Sequence, residues 1–151
     1  MKIPLLALII VSAAPIVQSQ PDRPLRALGQ KQIDVAVRAE KPYIAKGRAT
    51  YPAAKRRYLA GLPHGYIFYV RKWLHDPRGD QSEEVFVKVT AIKSGIVYGR
   101  IANKLLGVRS FRRGQRISFP ESDVLDWTIS HPDGHDEGNY VGNFMDTYKP
   151  R

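Results

Sequence analysis

The chain has no cysteine. That excludes disulfide staples, thiolate chemistry and the lipidated cysteine that would tether a chain behind an apolar leader. Stability must therefore come from the packed core alone. No apolar run reaches the roughly 20 residues that a membrane-spanning helix needs. There is no internal repeat and no low-complexity block. The glycine-rich phosphate cradle, the nucleophile elbow and the His-Glu-x-x-His helix are also missing. Ser118 and Ser122 have no identifiable base. Acid is scarce: 14 Asp and Glu stand against 24 Lys and Arg, for a formal charge of +10.

What is present is enough for one globular domain, with 43% hydrophobic, 25% charged and 10% aromatic residues. The N-terminus reads as a targeting segment. Lys2 supplies the positive start, Ile3 to Val11 is apolar apart from Pro4, and Ser12, Ala13 and Ala14 are small. Val17-Gln18-Ser19 offers a cleavage site before Gln20. A signal peptide over residues 1–19 is the expectation. Its removal takes away Lys2 and no acid, so the charge falls from +10 to +9. The mature protein would be periplasmic or secreted. Residues 20–32, with Pro and Arg and no period, read as a flexible leader, and residues 33–151 as the domain.

Within the domain, Ile33, Val35 and Val37 alternate with Asp34 and Ala36, which suggests a short edge strand. Pro42 to Ala60 reads as helix, with Ala45, Ala49, Pro52, Ala53 and Leu59 as its apolar stripe. Pro52 predicts a kink or two short helices, with Thr50 or Tyr51 as a local cap. Tyr66 to Leu74 is an aromatic-rich strand covered on both faces, hence central. Val85 to Ile92 follows, with Val85, Val87, Val89 and Ala91 inward. Ser94-Gly95 turns the chain into Ile96 to Ala102. Short turns between strands mean an antiparallel sheet. The tail segment with Tyr140, Val141, Phe144, Met145 and Tyr148 is able to pack back on the sheet.

The organising stretch is Tyr98 to Ile129. Gly99 allows close approach of a neighbouring backbone or ring, and Arg113-Gly114 is turn chemistry. Ile117 and Phe119 share one face of a strand, Arg116 and Ser118 the other, and Pro120 suits its end. Leu125, Trp127 and Ile129 alternate with Asp126 and Thr128. Trp127 is the expected centre of the core. Three groups of residues carry a resemblance: Gly99, Ile101 and Asn103; then Gly114, Arg116 and Ile117; then Asp126 and Trp127. With the spacing of Ala45, Ala49, Thr50 and Pro52 upstream, the chain resembles the bacterial family called domain of unknown function 2314 (YegJ-like), over roughly Ile33 to Tyr148. Gln115 departs from the acid common there, and Gly138 to Tyr148 matches loosely. The resemblance implies a fold and brings no activity with it. The fold class is α+β: a kinked N-terminal helix on a twisted antiparallel sheet of about five or six strands, able to curl toward a small barrel.

Candidate chemistry is sparse. His131, Asp133, His135, Asp136 and Glu137 include a His-x3-His spacing, but Pro132 and Gly134 make it a solvated loop, and no metal site or cofactor is assigned. Glu83 and Glu84 fall on opposite faces of a strand. Asp123 reads as a turn cap, and Asp126 as an acceptor of backbone or arginine hydrogen bonds. The basic excess is the signal. Arg109, Arg112, Arg113 and Arg116, with Arg100 and Asn103 nearby, form the candidate binding surface. It suits an acidic protein, an anionic lipid or an envelope polymer, while the expected export disfavours nucleic acid. The leading expectation is a non-catalytic binding module. The alternatives are a hydrolase-like enzyme built on Asp126 with Asn103 and Arg100, and an inhibitor or immunity-type partner of a secreted protein.

Overall fold

The computed structural model describes residues 30–149. The expected signal peptide, and the expected leader up to residue 29, lie outside them. Helix α1 (Gln30–Ala39) leads into α2 (Lys41–Ala60). Six strands follow: β1 (Ile67–His75), β2 (Ser82–Lys93), β3 (Ile96–Ile101), β4 (Arg116–Pro120), β5 (Asp126–Ser130) and β6 (Asp136–Gly138). Helix α3 (Tyr140–Thr147) closes the domain. The sheet order is β4-β3-β2-β1-β5-β6 and every neighbouring pair is antiparallel. The class is α+β as expected. The sheet stays open, with β4 and β6 as its edges, so the expected curl into a barrel is not found.

Directly opposed residues of an antiparallel pair share a face. Phe68 lies opposite Ile129, Val70 opposite both Trp127 and Val87, and Val87 opposite Ile101. These six are buried and form the centre of the core with Val85, Val97 and Phe119. Trp127, at 7% exposure, is part of that core. Strand β1 is central, as its two apolar faces suggested.

The helices depart from the sequence reading in three ways. The expected edge strand over Ile33 to Val37 is part of α1, which also takes in residues 30–32 of the expected leader. Ala36 and Glu40 are four apart, and both are fully buried. That spacing fits a helix turn as well as the alternation fits a strand, and burial decides between them. The break between helices comes at Glu40, with Pro42 in the first turn of α2, where its missing N–H costs nothing. Pro52 sits inside a single α2 rather than dividing it. Thr50 does not cap an end: mid-helix, its hydroxyl donates to the Lys46 carbonyl at 2.9 Å and accepts from Trp127 Nε1 at 2.8 Å. Finally, Ala45, Ala49, Pro52, Ala53 and Leu59 are exposed. The buried face is Gly47, Tyr51 and Ala54, with Tyr58 stacked on Phe68 at 5.1 Å. Tyrosine rings give α2 more apolar surface to bury than alanine methyls do.

Strand β2 carries one irregularity. Its register with β3 shifts between Val89 and Ala91, which leaves Thr90 as the extra residue of a bulge. The face therefore switches, and Ile92 is buried where Ala91 was expected. Ser94 and Gly95 both have positive φ, 50° and 76°, as a tight hairpin needs. Gly99 permits the close β2–β3 approach, because a Cβ there would lie 2.5 Å from the Lys88 carbonyl oxygen.

Gly47 sets how closely α2 lies on β5. A Cβ added there would stand 2.6 Å from Asp126 Oδ1 and 2.8 Å from the Leu125 carbonyl oxygen. Gly47→Ala should lower stability by about 1–3 kcal/mol through overpacking, although alanine is the better helix former by about 1 kcal/mol. Urea unfolding of the two proteins measures this. A variant as stable as the parent would show that α2 can move away without loss.

Candidate functional site

The strand register assembles a row of cations. Lys88 on β2 lies opposite Arg100 on β3, and Arg100 lies opposite Arg116 on β4. The row continues through Tyr69, opposite Lys88, to Thr128 on β5. Lys88, Arg100 and Arg116 are exposed, while Val87, Val89, Val97, Ile101 and Phe119, on the other face of the same strands, are buried. One side of β2–β4 is thus core and the other is open and basic. The Arg100 guanidinium donates to the Gly114 carbonyl at 3.0 Å, which anchors it over the β3–β4 turn. Tyr98, two residues before Arg100, is 41% exposed. Arg113 is near enough to Tyr69 that its charge opposes the rise in the phenol pKa caused by burial and by Asp136. Among the described residues, Lys88, Arg100, Arg113 and Arg116 enter no ion pair.

The remaining candidates have other places. The loop from β3 to β4 hangs on two carboxylates. Glu83 Oε2 accepts the Leu106 and Gly107 amides, each at 2.8 Å. Asp76 Oδ2 accepts the Arg109 amide at 2.6 Å, and Asp76 also accepts the Ser110 hydroxyl. The Ser110 and backbone donors hold the Asp76 carboxyl well below the usual range. Arg109 lines a cleft of about 550 Å³ there with Arg78, Gln81, Gly107 and Ser110. The Arg112 amide bonds Gln115 Oε1 at 3.1 Å. Asn103 Oδ1 accepts the Phe86 amide at 2.8 Å and so fastens the loop to β2. The structure therefore brings Arg100, Arg113 and Arg116 together and sends Arg109 to a separate cleft. It does not bring Arg100 and Asn103 to Asp126, since β2 and β1 lie between β3 and β5. Lys88, which sequence reasoning missed, is a single cation between Val87 and Val89. Only pairing β2 with β3 would have revealed it.

Asp126 is 1% exposed and its two oxygens are both occupied. Oδ1 accepts the Trp127 amide and Oδ2 the Val141 amide, each at 2.8 Å, so the carboxylate caps the first turn of α3. Burial pushes its pKa up to about 6 against the pull of those donors. Nearby, Arg71 pairs with Glu84 at 2.8 Å and lies over the Phe86 ring. Glu40, fully buried beside this pair, is pushed up to about 7, first by burial and then by the Glu84 charge. A side-chain hydrogen bond with Glu84 adds to the rise, against the pull of Arg71. Sequence reading did not single out Glu40, because a glutamate in a charged stretch defaults to the surface.

The His131–Glu137 loop is the β5–β6 hairpin. His131 Nε2 lies 2.7 Å from Glu137 Oε1, and Arg57 grips the same carboxylate through both oxygens at 2.5 and 2.8 Å. These partners draw Glu137 down to about 2. Among the described residues no group of three or more His, Asp or Glu side chains is placed to hold a metal.

The family model described as an uncharacterised protein conserved in bacteria, domain of unknown function 2314, matches residues 38–147. The chain belongs to that family. No curated protein and no solved structure matches it.

The buried acids fix a pH dependence. Glu40 and Asp126 have raised pKa values, so between about pH 4.5 and pH 7 the folded state holds protons that the unfolded chain has released. Stability therefore falls as pH rises through that window. Glu137, with a lowered pKa, works in the opposite sense below about pH 4.5. Urea midpoints should be higher near pH 5 than near pH 8. Glu40→Gln should flatten the slope and add about 1–3 kcal/mol at pH 8. A Gln variant with an unchanged slope would remove Glu40 as its source.

Proposed function

We propose that the protein is an exported, non-catalytic binding module that engages an acidic partner through its basic surface, in the periplasm or outside the cell. The observation that carries the reading is the open row of Lys88, Arg100 and Arg116, with Arg113 beside it and no carboxylate paired to any of them among the described residues. Exposed cations without internal partners raise the local concentration of anions, and salt weakens the effect. The Lys2-led apolar start supports export. A hydrolytic role for Asp126 finds less support, because that carboxylate is buried and its oxygens hold backbone amides.

The chain from Gln20 onward should bind polyglutamate and polyphosphate at low salt and release both as salt rises. Absence of binding at low salt would end the binding-module reading. The envelope fraction of the expressing bacterium should contain a chain whose first residue lies close to Gln20. A chain retaining Met1 in the cytosol would remove export from the proposal.

A further inference from the structure

Resting on that reading, we infer that the acidic partner is the headgroup layer of an anionic phospholipid membrane, met by the open face of β2–β4. The row of cations is built by strand pairing rather than by a flexible loop. Neighbouring strands lie about 4.8 Å apart, so Lys88, Arg100 and Arg116 span roughly 10 Å across the sheet. Arg113 adds a fourth charge near Tyr69. The cleft of about 550 Å³ at the Asp76 turn is lined by none of these four residues, and the cleft of about 470 Å³ beside Tyr58 and Tyr66 by Lys88 alone of the four. A charged face spread over three strands suits an extended array of phosphates better than a small ligand, which needs enclosure.

Tyr98 supplies the second feature. It sits on the same face, two residues from Arg100, and is 41% exposed. A tyrosine with an apolar ring and a polar tip is at home at headgroup depth. Lysine and arginine snorkel to the phosphates around such a ring. Four carboxylates are neutralised by basic side chains, Glu121 by Lys55, Glu137 by Arg57, Glu84 by Arg71 and Asp123 by Lys72, while Asp136 stays near Tyr69 at the β6 end of the row, away from Arg100 and Arg116. Among the described residues no helix is long and apolar enough to cross a membrane, and the inferred association is of the surface kind. An acidic protein partner would use the same charges, and the test separates it.

The chain from Gln20 onward is sedimented with vesicles of equal parts phosphatidylglycerol and phosphatidylcholine, and with phosphatidylcholine alone. Binding is expected to the first and not to the second. Each cation at the surface contributes about fivefold to partitioning. The double variant Arg100→Gln/Arg116→Gln should therefore lose about 25-fold. Lys41→Gln/Arg56→Gln removes the same charge from α2 and should lose far less. Tyr98→Ser should weaken vesicle binding and leave polyphosphate binding unchanged. Urea midpoints of all variants confirm that they remain folded. Equal losses from the two double variants would overturn the face. Binding to polyglutamate or polyphosphate without binding to vesicles would overturn the membrane and leave the binding module standing. Failure with every anion would remove both.

Discussion

The seam at Asp126-Trp127 is the constraint on which the architecture depends. One short strand start must hold three elements: β1 beside it, α2 across it and α3 behind it. Trp127 gives its ring to the core and its indole N–H to Thr50 inside α2. Asp126 gives its oxygens to its own strand and to the Val141 amide of α3. Gly47 lets α2 come close enough for both. A buried carboxylate stripped of its donors would cost several kcal/mol. The fold tolerates Asp126 because those donors are backbone amides, one in β5 and one in the first turn of α3, that cannot move away without disrupting the elements they belong to.

From that seam the sheet divides its polar groups into two ends. Where β1 meets the start of β2 the charges are buried and compensated: Arg71 on β1 with Glu84 on β2, and Glu40 close by with a pKa raised toward 7. Near β2, β3 and β4 the cations are exposed and unpaired within the described residues. This separation follows from where the scarce acids are spent. Asp76 and Glu83 are consumed in holding loop amides, and Glu121, Asp123 and Glu137 are tied to basic side chains elsewhere. With 14 acids against 24 Lys and Arg, the excess of cations must leave some region basic. The fold places that region on one open sheet face.

How much of this was legible in the sequence depends on the kind of signal. Alternation found β1, β4 and β5, and Ser94-Gly95 marked its hairpin, because turn chemistry and period 2 act over a few residues. The buried tryptophan and an antiparallel sheet of about five or six strands follow from the same local signals, but β6 falls at the end of a stretch that reads as a solvated loop. Alternation failed at Ile33 to Val37, where the same residues also satisfy a helical spacing and only the burial of Ala36 and Glu40 decides. It failed again at Thr90, because a bulge is set by the partner strand. The site was half legible. The arginines near the β3–β4 turn stand out as a run, whereas Lys88 joins them only through register. Arg109 belongs to the run by sequence and leaves it in space, drawn off by the bond between its amide and Asp76.

The row of cations also carries an energetic argument. Like charges directly opposite each other in a sheet destabilise it by roughly 0.2–1 kcal/mol for each pair, and here Arg100 faces Lys88 on one side and Arg116 on the other. Nothing in the core requires those residue types, since the opposite face of the same strands does the packing. Their repulsion is the reason an anion would be held: a phosphate or carboxylate layer over the row gains its own attraction and also relieves the strain between neighbours. Because binding to the folded state raises its stability by linkage, the relief should appear as added stability when an anion is present. The same face that weakens the isolated sheet is then the one that a bound anion would strengthen most.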